Sequence, residues 1–135
     1  MSLTVDDILP CFEGVIPATI VTSDPDGLPN ITALSKVEYV DTQHVGLTRQ
    51  FFRKTAKNLS TNPRACVLVT DPTTYRGYKL YLRYVRSETE GAVFERMRLR
   101  IETIASLMGM EEVFRLEAAD IFLVEAIEDA QNSVP

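Results

Sequence analysis

The sequence predicts a mainly-β domain with helices: about six antiparallel strands that either close into a small barrel or stay as an open α+β sheet. Three observations point there. Runs rich in β-branched, aliphatic and aromatic residues recur at 19–22, 31–40, 44–48, 65–70, 79–86 and 119–127. Short turn signals separate several of them. Helical patterns occupy only two or three of the intervals. The 135 residues, 45% hydrophobic, suit a single domain over 1–135 with a core of its own.

Taken in order, Thr4-Val5-Asp6-Asp7 resembles a capping box with Asp in place of Glu, opening a short helix whose apolar side is Ile8, Leu9 and Phe12. Pro17 precedes the first strand, Thr19 to Thr22. Asp24-Pro25-Asp26-Gly27 is a strong turn, because Pro presets one dihedral and Gly is free to take positive φ. The second strand, Ile31 to Val40, closes a hairpin, and Asp41-Thr42 turns the chain into a third, about His44 to Thr48.

A basic helix follows, capped by Thr55, with Ala56 and Leu59 facing inward. Asn62-Pro63 stops it, since the residue before Pro avoids helical geometry. The continuous run from Ala65 to Thr70 reads as a central strand, broken by Asp71-Pro72. From Lys79 to Arg86, Leu80, Leu82 and Tyr84 share one face and Tyr81, Arg83 and Val85 the other. Ser87-Glu88-Thr89-Glu90 reads as a capping box and opens the longest helix, roughly 20 residues, with a Val93, Met97, Ile101, Ile104, Met108 stripe closed by Gly109. Phe114 and Leu116 lead to the last strand, about Ala119 to Ile127, and the tail from Glu128 to Pro135 reads as frayed.

The function classes narrow by elimination. A net charge of −5 argues against nucleic acid as the main partner, because phosphate-backbone binding needs a basic face. No apolar run is long enough to cross a bilayer, and Met1 to Leu9 carries Asp6 and Asp7 but no basic leader region. Cys11 and Cys66 are far apart, in apolar settings and without a CxxC pattern. The expectation is therefore a cytoplasmic protein with two reduced thiols and no membrane partner. His44 is the lone histidine and has no neighbours of metal-binding spacing, so no metal is assigned. There is no GxGxxG, Walker A, HExxH or Gly-x-Ser-x-Gly elbow, and no catalytic residue emerges. An enzyme of this sequence would draw its chemistry from a cofactor.

The stretch that such a cofactor would use is Thr48-Arg49-Gln50-Phe51-Phe52-Arg53-Lys54-Thr55 and the helix after it. Basic side chains and a hydroxyl at a helix start make a phosphate site, since the helix dipole and free N–H groups favour an anion. A solvated helix face and a plain N-cap role for Thr55 are the bland alternatives.

The central block, Ile31-Thr32-Ala33-Leu34-Ser35-Lys36-Val37, Asp41, Val45-Gly46-Leu47-Thr48, Phe52-Arg53-Lys54-Thr55, Asn58-Leu59, Asn62-Pro63 and Val67-Leu68-Val69, resembles the FMN-binding split barrel of the pyridoxamine 5′-phosphate oxidase-like family. The resemblance is sharpest over residues 15 to 72 and extends to the 91–109 helix and the 119–124 strand. It implies a six-stranded antiparallel split β-barrel, homodimeric, with FMN at the subunit interface. By it, Arg53, Lys54 and Thr55 hold the FMN phosphate, while Leu34, Ser35, Lys36, Thr48 and Arg49 contact the ring and ribityl chain. Tyr75 or Arg76 of a second copy closes the site.

The sequence lacks the Arg-x-His segment of the oxidase and has Asp71-Pro72 where that enzyme is aromatic-rich. The expectation is thus an FMN-dependent oxidoreductase of unassigned substrate, with a donor such as NAD(P)H. The alternative is a non-catalytic carrier or sensor binding flavin, haem or deazaflavin.

Overall fold

A computed structural model of the protein describes residues 2–34, 36–49, 53–109 and 116–133, without the side chains of Arg53, Asn132 and Ser133. Seven strands form one antiparallel sheet: β1 (Ala18–Ser23), β2 (Pro29–Leu34), β3 (Glu38–Asp41), β4 (His44–Arg49), β5 (Arg64–Thr70), β6 (Gly77–Glu88) and β7 (Ala118–Asp129). Helix α1 spans Arg53–Thr61 and α2 spans Ala92–Leu107; 3₁₀ segments occupy Val5–Phe12 and Ala130–Ser133.

The strand order is β2-β1-β5-β6-β7-β4-β3. This ladder has two ends, yet the chain passes from one end to the other between Leu34 and Glu38. A flat sheet would hold β2 and β3 about 29 Å apart, six spacings of about 4.8 Å. Four residues reach at most about 14 Å. The sheet must therefore curl, and its inner face encloses one core that includes Ile20, Leu34, Val37, Val45, Leu47, Val67, Leu80, Leu82 and Phe122.

The expected single strand from Ile31 to Val40 is thus two strands. β2 pairs with β1, Ala18 opposite Leu34, and β3 pairs with β4, Glu38 opposite Gly46. Among the described residues the count is seven rather than six, and the hydrogen-bonded ladder is open.

The turn before β2 forms as its residues dictate. Gly27 takes φ +84°, and Asp24 Oδ1 accepts the Asp26 and Leu28 N–H groups at 2.9 and 2.8 Å. At the N-terminus, Asp7 accepts the Thr4 N–H at 2.8 Å, but the segment is 3₁₀ and buries Val5, Ile8, Cys11 and Phe12 while leaving Leu9 exposed. Ser87 does not open a helix. It lies in β6, and α2 starts after Gly91, whose φ of +99° suits only glycine well. Met97 and Ile101 of the expected stripe face inward, but Phe94 and Ala105 take the places of Val93 and Ile104 beside them, and Ile104 and Met108 are exposed. A Cβ at Gly46 would meet Met97 Sδ at 3.4 Å, so the glycine sets how closely α2 lies on β4. The described part of the tail is regular: β7 continues to Asp129, a 3₁₀ turn spans Ala130–Ser133, and Gln131 Oε1 accepts the Gly77 N–H at 3.2 Å.

Both described cysteines are free, as expected of reduced thiols. Burial pushes the Cys11 thiol up to about 11 and also raises Cys66. A thiol with a raised folded-state pKa contributes stability below its unfolded value and loses it as pH climbs to the folded one. Stability should therefore fall by about 2–3 kcal/mol between pH 9 and 11 through Cys11. Urea midpoints at pH 8 and 10.5, compared with Cys11→Ala, isolate this contribution: the extra alkaline loss should vanish in the variant.

Candidate functional site

Helix α1 lies across β1 and β2. Its inner face is polar where it meets them. Thr55 is buried, and its hydroxyl accepts from Asn30 Nδ2 at 3.3 Å and lies 3.5 Å from the Thr32 hydroxyl; Asn30 Nδ2 also reaches Thr32 Oγ1 at 3.3 Å. One turn on, buried Asn58 donates to Thr22 Oγ1 at 3.1 Å. Leu59 enters the main core.

The pleat explains the seam. Asn30, Thr32 and Leu34 share the inward face of β2, so the strand changes from apolar to polar where α1 crosses it, while Ile31 and Ala33 point outward. The helix stops as expected: the Asn62 N–H reaches Asn58 O at 2.8 Å, and Asn62 Oδ1 accepts the Arg64 N–H at 3.2 Å.

The residues expected to form the site divide. Lys54 is exposed as the second residue of α1, in the first turn, where backbone N–H groups lack intrahelical partners. Arg53 begins the helix; its side chain lies outside the described residues, as does all of Ser35. Thr55 is the third helical residue, so it is not the N-cap, and its hydroxyl joins β2 instead. The side chain of Leu34 is in the core, which leaves only its backbone for a ligand. Thr48 is buried on β4, on the face that Gly46 turns towards α2.

Lys36 and Arg49 are drawn to carboxylates. Lys36 Nζ is 3.7 Å from Glu38, and its stem packs over Gly14. Glu38 is itself buried and clasped by Arg96 at 3.2 Å and Arg100 at 3.1 Å, which ties α2 to β3. Arg49 grips buried Asp120 with two bonds, Nε to Oδ2 at 3.1 Å and Nη2 to Oδ1 at 2.6 Å. Ser87 donates to the same carboxylate at 2.7 Å, and Tyr84 bonds to Ser87. The bond to Asp120 raises the Arg49 pKa above its already high value.

Tyr75 sits at the β5–β6 turn with φ +60° and is 75% exposed, a strained conformation held by Asp71, which accepts the Thr73 N–H at 2.8 Å and whose carbonyl accepts the Tyr75 N–H at 2.8 Å. Arg76 pairs with Asp129. His44 lies 2.8 Å from Asp41, a surface pair at a strand start that gives it no catalytic partner; that contact and a backbone bond from Gln43 hold the Asp41 carboxyl below its ordinary value despite partial desolvation.

Asn30 and Thr32 were not singled out by sequence reasoning. The available signal was their placement two residues apart on the face that Leu34 buries. Among the described residues there is no His, Cys, Asp or Glu group suited to a metal ion and no helix long and apolar enough to cross a membrane.

Residues 5–125 match the family model described as pyridoxamine 5′-phosphate oxidase. No curated protein matches the sequence. Among solved structures, the chain is similar to an FMN-binding protein from Syntrophomonas wolfei subsp. wolfei, with 21% identity over 91% of this chain and 82% of that one and a TM-score of 0.76. It is similar to HupZ from Group A Streptococcus, with 22% identity over 93% of each chain and a TM-score of 0.70. It is also similar to HutZ, the heme storage protein from Vibrio cholerae, with 13% identity over 96% and 95% and a TM-score of 0.59.

Proposed function

Because this chain belongs to the pyridoxamine 5′-phosphate oxidase family, we propose that it binds FMN, with the phosphate at the start of α1. The carrying observation is the first turn of that helix, where exposed Lys54 stands beside a Thr55 hydroxyl that Asn30 and Thr32 hold from β2. Free N–H groups, the helix dipole and a lysine suit a phosphate dianion, and Arg53 adds a second cation by sequence. Bound flavin would supply hydride or electron transfer. The chain's own share is to grip the phosphate, shape an apolar slot for the ring and exclude water.

The oxidoreductase reading, with NAD(P)H as donor and an unassigned substrate, rests on that flavin. A homodimer with FMN between its subunits fits the outward row of Ile31, Val21, Cys66 and Tyr81 across β2, β1, β5 and β6. There Ile31 is 69% exposed, and Leu68 lies beside the row. Tyr75, exposed and at positive φ, is the residue we assign to the second copy's side of the site.

The first experiment is an absorption spectrum after adding FMN and removing free ligand by gel filtration with light scattering. Flavin bands co-eluting at dimer mass are expected. A protein that retains no FMN overturns the assignment, and a parallel arm with haemin identifies the other ligand class. Oxidation of NAD(P)H by the flavin-loaded protein separates an enzyme from a carrier.

A further inference from the structure

Glu38 is buried at the start of β3, its side chain only 8% exposed, yet it faces three cations. Lys36 comes from the connection between β2 and β3, and Arg96 and Arg100 stand one turn apart on the same side of α2. Among the described residues none of the three pairs with any other carboxylate. The cluster therefore holds three positive charges against one negative charge.

The hydrogen bonds are divided unevenly. Arg96 Nε donates to Glu38 Oε1 at 3.2 Å and its Nη2 to the Tyr39 carbonyl at 2.8 Å. Glu38 Oε2 lies 3.1 Å from Arg100 Nη2 and 3.7 Å from Lys36 Nζ, but makes no aligned hydrogen bond with either. Arg100 Nε and Nη2 are buried without an acceptor. These two nitrogens form one edge of the guanidinium, the edge that takes two oxygens of a single carboxylate or phosphate. One arginine would suffice to tie α2 to β3; a second one with idle buried donors costs free energy and fits a site shaped for more oxygens than Glu38 supplies.

We propose that Glu38 is a built-in occupant of this cationic site: it holds the place of an external carboxylate or phosphate and so keeps oxyanions out. Tethered on β3 beside the cations, it competes as an intramolecular ligand that any dissolved anion has to outbind. Glu38 thereby sets specificity. A compound handled beside Lys36 presents an uncharged group there, and anionic compounds are turned away although the cluster is basic. The site shares no residue with the start of α1, so the flavin reading is independent of it.

The test is a nitrogen-15 NMR titration with inorganic phosphate at pH 7 and constant ionic strength, comparing the parent with Glu38→Gln, which keeps the shape and removes the charge. In the parent the amides of residues 36–38 and 96–100 should stay in place at millimolar phosphate. In E38Q they should shift, with binding at least about tenfold tighter, because the competing charge is gone and the Arg100 edge is open. The gain should disappear in E38Q/R100M. Phosphate should also raise the melting temperature of E38Q by more than that of the parent. E38Q/R96M, with one cation fewer to crowd the cluster, is the second variant should E38Q not fold, and it should show the same gain. An equal response of the parent and a folded variant, shifts confined to residues 54–57, or a gain that survives Arg100→Met would each overturn the proposal.

Discussion

Replacing Arg49 with Met should destabilise the protein by about 3–5 kcal/mol, because it strands a buried carboxylate. Asp120 is 6% exposed and receives both guanidinium bonds as well as the Ser87 hydroxyl. Without Arg49 only the hydroxyl remains, too little to keep a charge out of water. For a chain of this length the melting temperature should fall by roughly 10–15 °C.

The double variant R49M/D120N removes the charge too and should recover much of the loss. Urea unfolding of both variants at pH 7 reads the loss and its recovery. A loss below about 1 kcal/mol, as for a surface pair, would mean that Arg49 is not committed to Asp120 in solution and is available to a ligand.

Replacing Arg53 and Lys54 together with Ala should weaken FMN binding roughly 100-fold or more, since each charge-assisted contact to a phosphate contributes about 1.5–3 kcal/mol. Lys54 is exposed, so its loss should leave the fold intact, which circular dichroism can verify. Riboflavin, which has no phosphate, supplies the internal control: parent and variant should bind it equally. Equal FMN affinity in a folded double variant would remove the phosphate site from α1. A parallel loss for riboflavin would point to a disturbed ring slot instead.

Much of the fold was legible because local chemistry decided it. Asp24-Pro25-Asp26-Gly27 made a hairpin, Asn62-Pro63 stopped a helix, and the Ala65 to Thr70 run became a central strand. The failures lie where distant residues decide. Residues 31–40 look like one strand because alternation continues through Val37, yet the two halves pair at opposite ends of the ladder. Ser87 has the sequence setting of a helix cap, but Asp120, 33 residues away, holds it in β6.

The site divides likewise. The basic turn at 53–55 stood out by its charge at a helix start, and the family resemblance drawn from the surrounding block agrees with the family match over residues 5–125. That Arg49 and Lys36 meet carboxylates on β7 and β3 could not be read from spacing. Asp120 within the apolar run Ala119-Asp120-Ile121-Phe122 was a signal in its own right, since a carboxylate there must find a cation.

The pairing of β4 with β7 also dictates when the protein can become whole. His44–Arg49 lies beside Ala118–Leu123, 69 to 79 residues later in the chain, and β1 likewise waits for β5. On a ribosome adding about 5–20 residues per second, the β3–β4 hairpin is finished several seconds before its partner strand is synthesised. Until then the edge of β4 that will meet β7 is unpaired, with the apolar side chains of Val45 and Leu47 beside it. The nascent chain is therefore most exposed to misassembly in that interval, and substitutions that slow docking of β7 should reduce soluble yield more than they reduce the stability of the finished protein.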